Sequence, residues 1–274
     1  MSDIVLSAGV RANLLQLQQT SDLITQTQTR LATGKKVNSA LDNPINFFTA
    51  QGLSVRANDL NALLDAMGNG INTIQAANNG ITSITKLVQS AQSLTSQAQQ
   101  TTDTNVRATL ASQFDALLVQ IGQLAGDSGF NGINLLAGDT LTVNFDNQSP
   151  PTSTTITGVD YTNANNAPLS IANSVGGWAN SADITTSSGQ LATALTTLRS
   201  EAQSLSSNLS TVQIRQDFTK AMINTLQTGA DNLTLADSNA EGANLLALQT
   251  RQQLSTTALS LAAQADQNVL RLFR

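Results

Sequence analysis

The stretch LLALQTRQQLSTTALSLAAQADQNVLRLF, residues 245–273, decides the fold. Steps of four and three pick out one seam: Ala247, Arg251, Leu254, Ala258, Leu261, Ala265, Asn268 and Leu272. A second seam runs through Leu245, Leu248, Gln252, Ser255, Leu259, Ala262, Asp266, Val269 and Phe273. One 4-3 seam suffices for one partner helix. Two adjacent seams make a face wide enough for more than one neighbour. No Pro or Gly interrupts the stretch after Gly242, which predicts a helix of roughly 45 Å at ~1.5 Å per residue. Such a helix cannot bury both seams by itself. Its partners must lie elsewhere in the chain or on other copies.

Composition narrows the partners. Aromatic residues make up 3% of the 274-residue chain and hydrophobic residues 40%, so apolar contacts must come from Leu, Ile, Val and Ala, as in helix-helix packing. Charged residues amount to 11%, against about 25% in ordinary soluble domains. A surface of Ser, Thr, Asn and Gln repels its own copies weakly and suits dense self-packing, although an unusual monomeric secreted protein would share it. The net charge is −5 and the 13 Lys and Arg are scattered, so no basic stripe is present to follow nucleic acid. His and Cys are absent, which removes His general bases, Cys nucleophiles, disulfides and the usual zinc sites. No apolar run of ~18 residues predicts a membrane span. The N-terminus lacks a basic region followed by an apolar block, which predicts either a cytoplasmic protein or export without a cleaved signal.

The rest of the chain repeats the helical pattern. Val10, Leu14, Leu17, Ser21, Ile24, Gln28 and Leu31 form a heptad seam with two polar lapses. Gly34 is the expected C-terminal cap, with Lys35 and Lys36 favoured by the negative helix end. Pro44 fits the first turn of a second helix, capped by Asp42 or Asn43. Its seam runs from Ala50 and Leu53 to Thr85 and Val88, through several glycines that cost helix propensity. A third helix carries Leu110, Phe114, Leu117, Ile121 and Leu124, with Thr104 as the expected cap and a compact turn over residues 130–136. From Asp139 the texture changes. Leu141, Val143 and Phe145 alternate with polar residues, Pro150-Pro151 turn the chain, and Ile156 and Val159 follow, which predicts a β-hairpin. The polar stretch to about Ser188 reads as an exposed irregular excursion or a flexible linker. Helical spacing then returns from Leu191 to Leu233 with lapses only at Gln216 and Thr219, and residues 237–242 read as a joint.

The expected fold class is therefore mainly α: a long antiparallel helical bundle with coiled-coil terminal helices and a small β-hairpin excursion in the middle. Residues 1–42 and 235–274 form one terminal coiled-coil domain, 43–138 and 189–234 a helical bundle, and 139–188 the hairpin and a variable surface-exposed region. The terminal pair cannot hide its apolar faces alone. It is expected to be largely disordered in isolation and to fold as copies associate.

Arg30-Leu31-Ala32-Thr33-Gly34, followed by Asn38-Ser39-Ala40 and Asp42, resembles the N-terminal motif of the bacterial flagellin family. Asn69-Gly70-Ile71 with Ile74-Gln75 resembles the next, and Phe130-Asn131-Gly132 with Leu135-Leu136 the turn closing the third helix. Asp237, Ala240 and Glu241 resemble the acidic joint, and Ala263-Gln264-Ala265 with Val269-Leu270 and Leu272 the extreme C-terminus. The resemblance implies a secreted subunit, exported unfolded through the flagellar type III secretion channel and polymerised into the extracellular filament that drives motility. The terminal helices would line the filament core and the variable middle would face outward. It implies self-association, a flagellar export chaperone, a cap protein and sister flagellins as partners, with no cofactor, nucleic acid or membrane. One departure stands out. Ser90, Gln92 and Ser93 occupy the place of a charged patch that many flagellins present to the innate Toll-like flagellin receptor, which predicts weak receptor activation.

No enzyme chemistry is expected: no HExxH and no GxxxxGK[ST] loop occur. Asp237 and Glu241, four residues apart, suit a cap or hinge better than a metal. The residues expected to carry polymerisation are Val10, Leu14, Leu17, Ile24 and Leu31 at one end, with Leu254, Leu261, Val269, Leu272 and Phe273 at the other. Gly34, Pro44, Asp237 and Glu241 are the expected joint. A hook-filament junction protein and a secreted helical adhesin are the alternatives.

Overall fold

The structure, a computed structural model, describes residues 8–148 and 150–272. Five helices carry it: α1 (Ala8–Thr33), α2 (Pro44–Gln100), α3 (Thr104–Gly126), α4 (Ser181–Thr234) and α5 (Ser238–Leu272). Between α3 and α4 lies an antiparallel hairpin of β1 (Thr140–Asn144) and β2 (Ser153–Thr157), with Leu141 opposite Ile156 and Val143 opposite Thr154. The fold is mainly α with one small sheet, as the 4-3 spacing and the short alternating run predict. Among the described residues no helix is long and apolar enough to cross a membrane.

Helix ends follow local chemistry. Gly34 closes α1 at φ +68°, a conformation in which a Cβ is strained. Asn43 caps α2, its side-chain Oδ1 accepting from the Asn46 N–H at 3.0 Å. Asp42 acts one step earlier. It accepts from the Asn38 and Ser39 N–H groups, both at 2.9 Å, and closes the loop before α2. Those two amides, Asn38 foremost, hold its carboxyl below the usual carboxylate range. Asp103, one residue before the expected Thr104, caps α3 by accepting from Asn105 N–H at 2.8 Å. A carboxylate suits that position because the helix N-terminus is positive.

The chain divides into two compact units. One comprises the residues up to Arg56 together with those from Thr225 on, and the other Ala57–Asn224. The boundaries fall inside α2 and α4, not at the breaks near 42 and 235.

In the unit 57–224, a continuous core joins Met67, Ile74, Ile81, Ile84 and Val88 of α2, Phe114, Leu118 and Ile121 of α3, and Leu191, Leu198, Leu205 and Val212 of α4. The stretch 139–188 does not form a separate exposed region. Tyr161, Leu169, Ile171 and Trp178 are fully buried members of this core. The scarce aromatic residues carry too much apolar area to stay in water. Trp178 lies against Phe114, ring centroids 5.0 Å apart, and its Nε1–H donates to Ser187 Oγ. Asp115 fastens the loop by accepting from Ser174 N–H and Oγ–H, both at 2.7 Å. Because Ser187 and Ile184 face this core, α4 starts at Ser181, well before the apolar heptads that open at Leu191.

Arg107 is the one buried arginine of this unit among the described residues. Its guanidinium donates to the carbonyls of Ala98, Thr101 and Ala179 and to Ser181 Oγ at 2.8–3.2 Å. It thereby satisfies carbonyls left open where α2 ends. Burial, with the neighbouring Glu201 carboxylate, pushes the Tyr161 phenol up, and burial alone raises Glu201.

Two outcomes test this packing. A Cβ at Gly80 would lie 2.6 Å from Leu136 Cδ1 and clash with Ser128, so G80A lowers urea stability by about 1–3 kcal/mol. Gly52, in the same helix, has open space, so G52A raises it by about 0.5–1 kcal/mol. Burial raises the Glu201 carboxyl above its ordinary value in the folded state. The native state therefore holds the proton more tightly, and stability falls as pH rises from the unfolded-state value through the folded one. E201Q accordingly raises the melting temperature at pH 7, and the gain disappears in melts below about pH 4.

Candidate assembly surface

The unit formed by the two ends of the chain is built on α1 and α5, which run antiparallel. Arg30, near the end of α1, donates from Nη1 to Glu241 Oε1 at 3.2 Å in the first turn of α5. Glu241 is nearly buried and Arg30 partly so, and the acid also complements the positive start of α5. Asp237 caps α5, its Oδ1 accepting from Asn239 N–H at 2.9 Å and Ala240 N–H at 3.2 Å. The helix starts at Ser238, so the joint is shorter than 237–242 and Gly242 lies inside the helix. Beside it, Lys36 and Val37 N–H donate to Thr234 O, and Ala236 N–H donates to Gly34 O. Lys36 Nζ donates to Asn232 O at 3.0 Å, so this cation serves the carbonyl end of α4 instead of α1. Gly34, Pro44, Asp237 and Glu241 thus all belong to this unit.

Helix α1 turns Val10, Thr20, Ile24 and Thr27 fully inward, with Asn13, Leu17 and Leu31 half-buried between them. The steps remain three and four, but the stripe is displaced from the apolar one. Thr20 and Thr27 take the places expected for Ser21 and Gln28, and Leu14 stands 39% exposed. Threonine is small enough for close approach, and Thr20 Oγ1–H donates to Gln16 O at 2.8 Å, so its hydroxyl is satisfied in the seam.

Helix α5 makes the division sharper. Its half-buried positions are Glu241, Leu245, Leu248, Gln252, Ser255, Leu259 and Ala262. These follow the second of its two seams. The first, through Ala247, Arg251, Leu254, Ala258, Leu261 and Ala265, is exposed throughout. Leu254 and Leu261 are 66% and 61% exposed, and Leu246 joins them at 67%. One residue on an α-helix is a turn of about 100°, so when the second seam meets α1 the first lies to one side of the contact, where Ala247 and Arg251 line a groove with Leu23 and Gln26 of α1. On α1, Leu14, Leu15 and Leu23 are likewise uncovered. The side chains of Val269 and Leu272, and Phe273 altogether, lie outside the described residues.

The structure therefore brings Val10, Leu17, Ile24 and Leu31 together in the inner seam and leaves Leu14, Leu254 and Leu261 outside it. Sequence reasoning overlooked Arg30 as the partner of Glu241, because nothing local signals a contact 211 residues distant. It also passed over Leu41 in the loop and Ile45 and Phe48 in the first turns of α2, all exposed; these stand outside the regular heptads. Ser90 and Ser93 of α2 are exposed and Gln92 is half-buried. Among the described residues no three His, Cys, Asp or Glu gather into a metal-binding group. What the surface offers is apolar contact area on one face of each terminal helix.

The sequence matches known proteins along its whole length. The family model of the bacterial flagellin N-terminal helical region matches residues 8–140. Flagellin FljM of Caulobacter vibrioides is 32% identical over 278 aligned residues, which cover 100% of this chain and 99% of that protein. The flagellin of Brucella melitensis is 26% identical over the full length of both chains. The crystal structure of Bacillus cereus flagellin overlaps 58% of this chain and 88% of that one, at 19% identity and a TM-score of 0.47. End-to-end identity with a flagellin, on a chain whose two ends pair and leave a second apolar stripe uncovered, places this protein in the bacterial flagellin family.

Proposed function

We propose that the chain is a structural subunit that polymerises into the helical filament of the bacterial flagellum, the extracellular part of that organelle, and so serves motility. The observation that carries this reading is the uncovered first seam of α5. Leucines at 4-3 spacing over several turns, left in water, favour association by about 25 cal/mol per Å² of apolar area covered. A second copy supplies the missing cover, and a contact between different faces of identical subunits extends into an open helical polymer.

In this reading Leu14, Leu254 and Leu261 pack between copies, and Val10, Leu17, Ile24 and Leu31 pack within one. Val269, Leu272 and Phe273 are packing positions proposed from the sequence spacing alone, Leu272 on the first seam and Val269 and Phe273 on the second. The inner seam is half polar, through Asn13, Thr20, Thr27, Gln252 and Ser255, so the terminal pair gains most of its order once neighbours cover it. The loop at Gly34 and Pro44, paired with the one before Asp237 and Glu241, acts as the joint. An export chaperone would cover the same α5 face before secretion and a cap protein would guide the subunit at the growing tip. Several flagellins of Caulobacter vibrioides resemble the chain to a similar degree, which supports sister subunits in one filament. The flagellin family is structural, and no catalytic role is inferred. The junction-protein and adhesin readings gain no support, because the relatives matched end to end are flagellins.

Removal of residues 235–274 should give a soluble, partly helical monomer that never sediments as polymer, and L254N/L261N in the full chain should assemble poorly with little change in monomer circular dichroism. Normal filaments from the shortened chain would end the filament reading. A separate outcome concerns α2: with Ser90, Gln92 and Ser93 in place of charges, purified monomer should stimulate cells bearing the Toll-like flagellin receptor only weakly. A full response in that reporter assay would refute it.

A further inference from the structure

The exposed stripe of α5 contains one charge among its described side chains. Arg251 sits between Ala247 and Leu254, is exposed, and makes no hydrogen bond or ion pair with any described residue. The carboxylate on its own helix, Glu241, is already held by Arg30. Covering this stripe with another copy would bury a guanidinium, and a buried charge must find an opposite one.

On α1 the face turned away from α5 is a stripe of its own: Arg11, Leu15, Gln18, Asp22, Thr25 and Thr29, again in steps of four and three. Asp22 is exposed and likewise forms no hydrogen bond or ion pair with any described residue. Among the described side chains of α1 and α5, Asp22 and Glu241 are the two carboxylates, and only Asp22 is free.

The heights of the two unpaired charges agree. Counted from the Arg30–Glu241 contact, Asp22 lies eight residues back along α1 and Arg251 ten residues on along α5. At ~1.5 Å per residue these are about 12 and 15 Å from the same point, an offset of about 3 Å. Because the helices are antiparallel, both distances run the same way. One copy therefore carries a cation on the flank of α5 and an anion at nearly the same height on the face of α1 turned from α5.

We propose that Arg251 of one copy pairs with Asp22 of the next, with the outer stripe of α5 lying on the outer stripe of α1. Each copy gives its cation to one neighbour and its anion to another. That is a heterologous contact, which repeats without closing on a dimer. The leucines supply attraction in any register, while the ion pair selects one register and penalises the rest. This rests on the filament reading above.

The test is seeded polymerisation of the purified full chain, with the monomer concentration left at steady state as the readout. Wild-type chain must polymerise; if it does not, the filament reading itself fails. R251E and D22R should each raise the residual monomer concentration about tenfold or more, and D22R/R251D should return it to within about threefold of wild type. Unchanged residual monomer in R251E, or a double variant no better than the single ones, overturns the pairing and leaves the filament reading standing. If circular dichroism shows that a charge reversal unfolds the monomer, R251Q and D22N replace it. Each should then raise residual monomer and flatten its dependence on salt, and no change in either measure would equally overturn the pairing.

Discussion

Everything in the terminal unit depends on which of two adjacent seams α5 turns toward α1. The seams differ by one residue, about 100° of rotation, and both carry leucines. Apolar content alone does not choose between them. The Arg30–Glu241 pair does, because Glu241 lies on the second seam and reaches Arg30 only when that seam faces inward. An ion pair of this kind contributes modestly to stability. Its larger effect is selective: it decides that Leu245, Leu248 and Leu259 stay within the subunit and that Leu254 and Leu261 remain available.

A chain with so few charges and aromatics needs another way to bury its helices closely. It uses hydroxyls. Thr20, Thr73, Thr95, Ser187 and Thr219 are buried, and each donates its hydroxyl hydrogen to a carbonyl three or four residues earlier in its own helix. A hydroxyl satisfied inside its helix carries no penalty for lacking an outside partner. Seams of mixed Leu, Ala and Thr can then pack along their whole length.

The same device explains what could be read in advance. In α4 every expected seam position from Leu191 to Leu233 is buried or half-buried, including the polar Gln216 and Thr219. There the apolar residues dominate and their phase is unambiguous. In α1 the phase that Leu14 suggests is not the one adopted, because Thr20 and Thr27 outcompete it for the inner face. Hydrophobicity ranks Leu above Thr, yet a close seam selects for small size, and at Thr20 the hydroxyl also bonds back to Gln16 O. The burial of residues 139–188 is hidden for a different reason. Tyr161 and Trp178 are isolated in a polar stretch, and nothing periodic marks the core they enter. The Arg30–Glu241 contact has no local sign at all.

For the assembly surface, sequence reveals the stock of apolar residues but not their allocation. Two seams on α5 imply more than one neighbour; the structure assigns one of them to α1 and leaves the other uncovered. That division lets a single helix serve two contacts with one periodicity. A wider continuous face would collapse onto any apolar surface in several registers, whereas two narrow stripes separated by rotation each admit one helix. Small residues at Ala247, Ala258 and Ala265 keep the outer stripe shallow enough for a helix to approach, and the leucines between them supply the area. Attraction of this kind is non-directional, so register must come from the few polar groups the stripe retains.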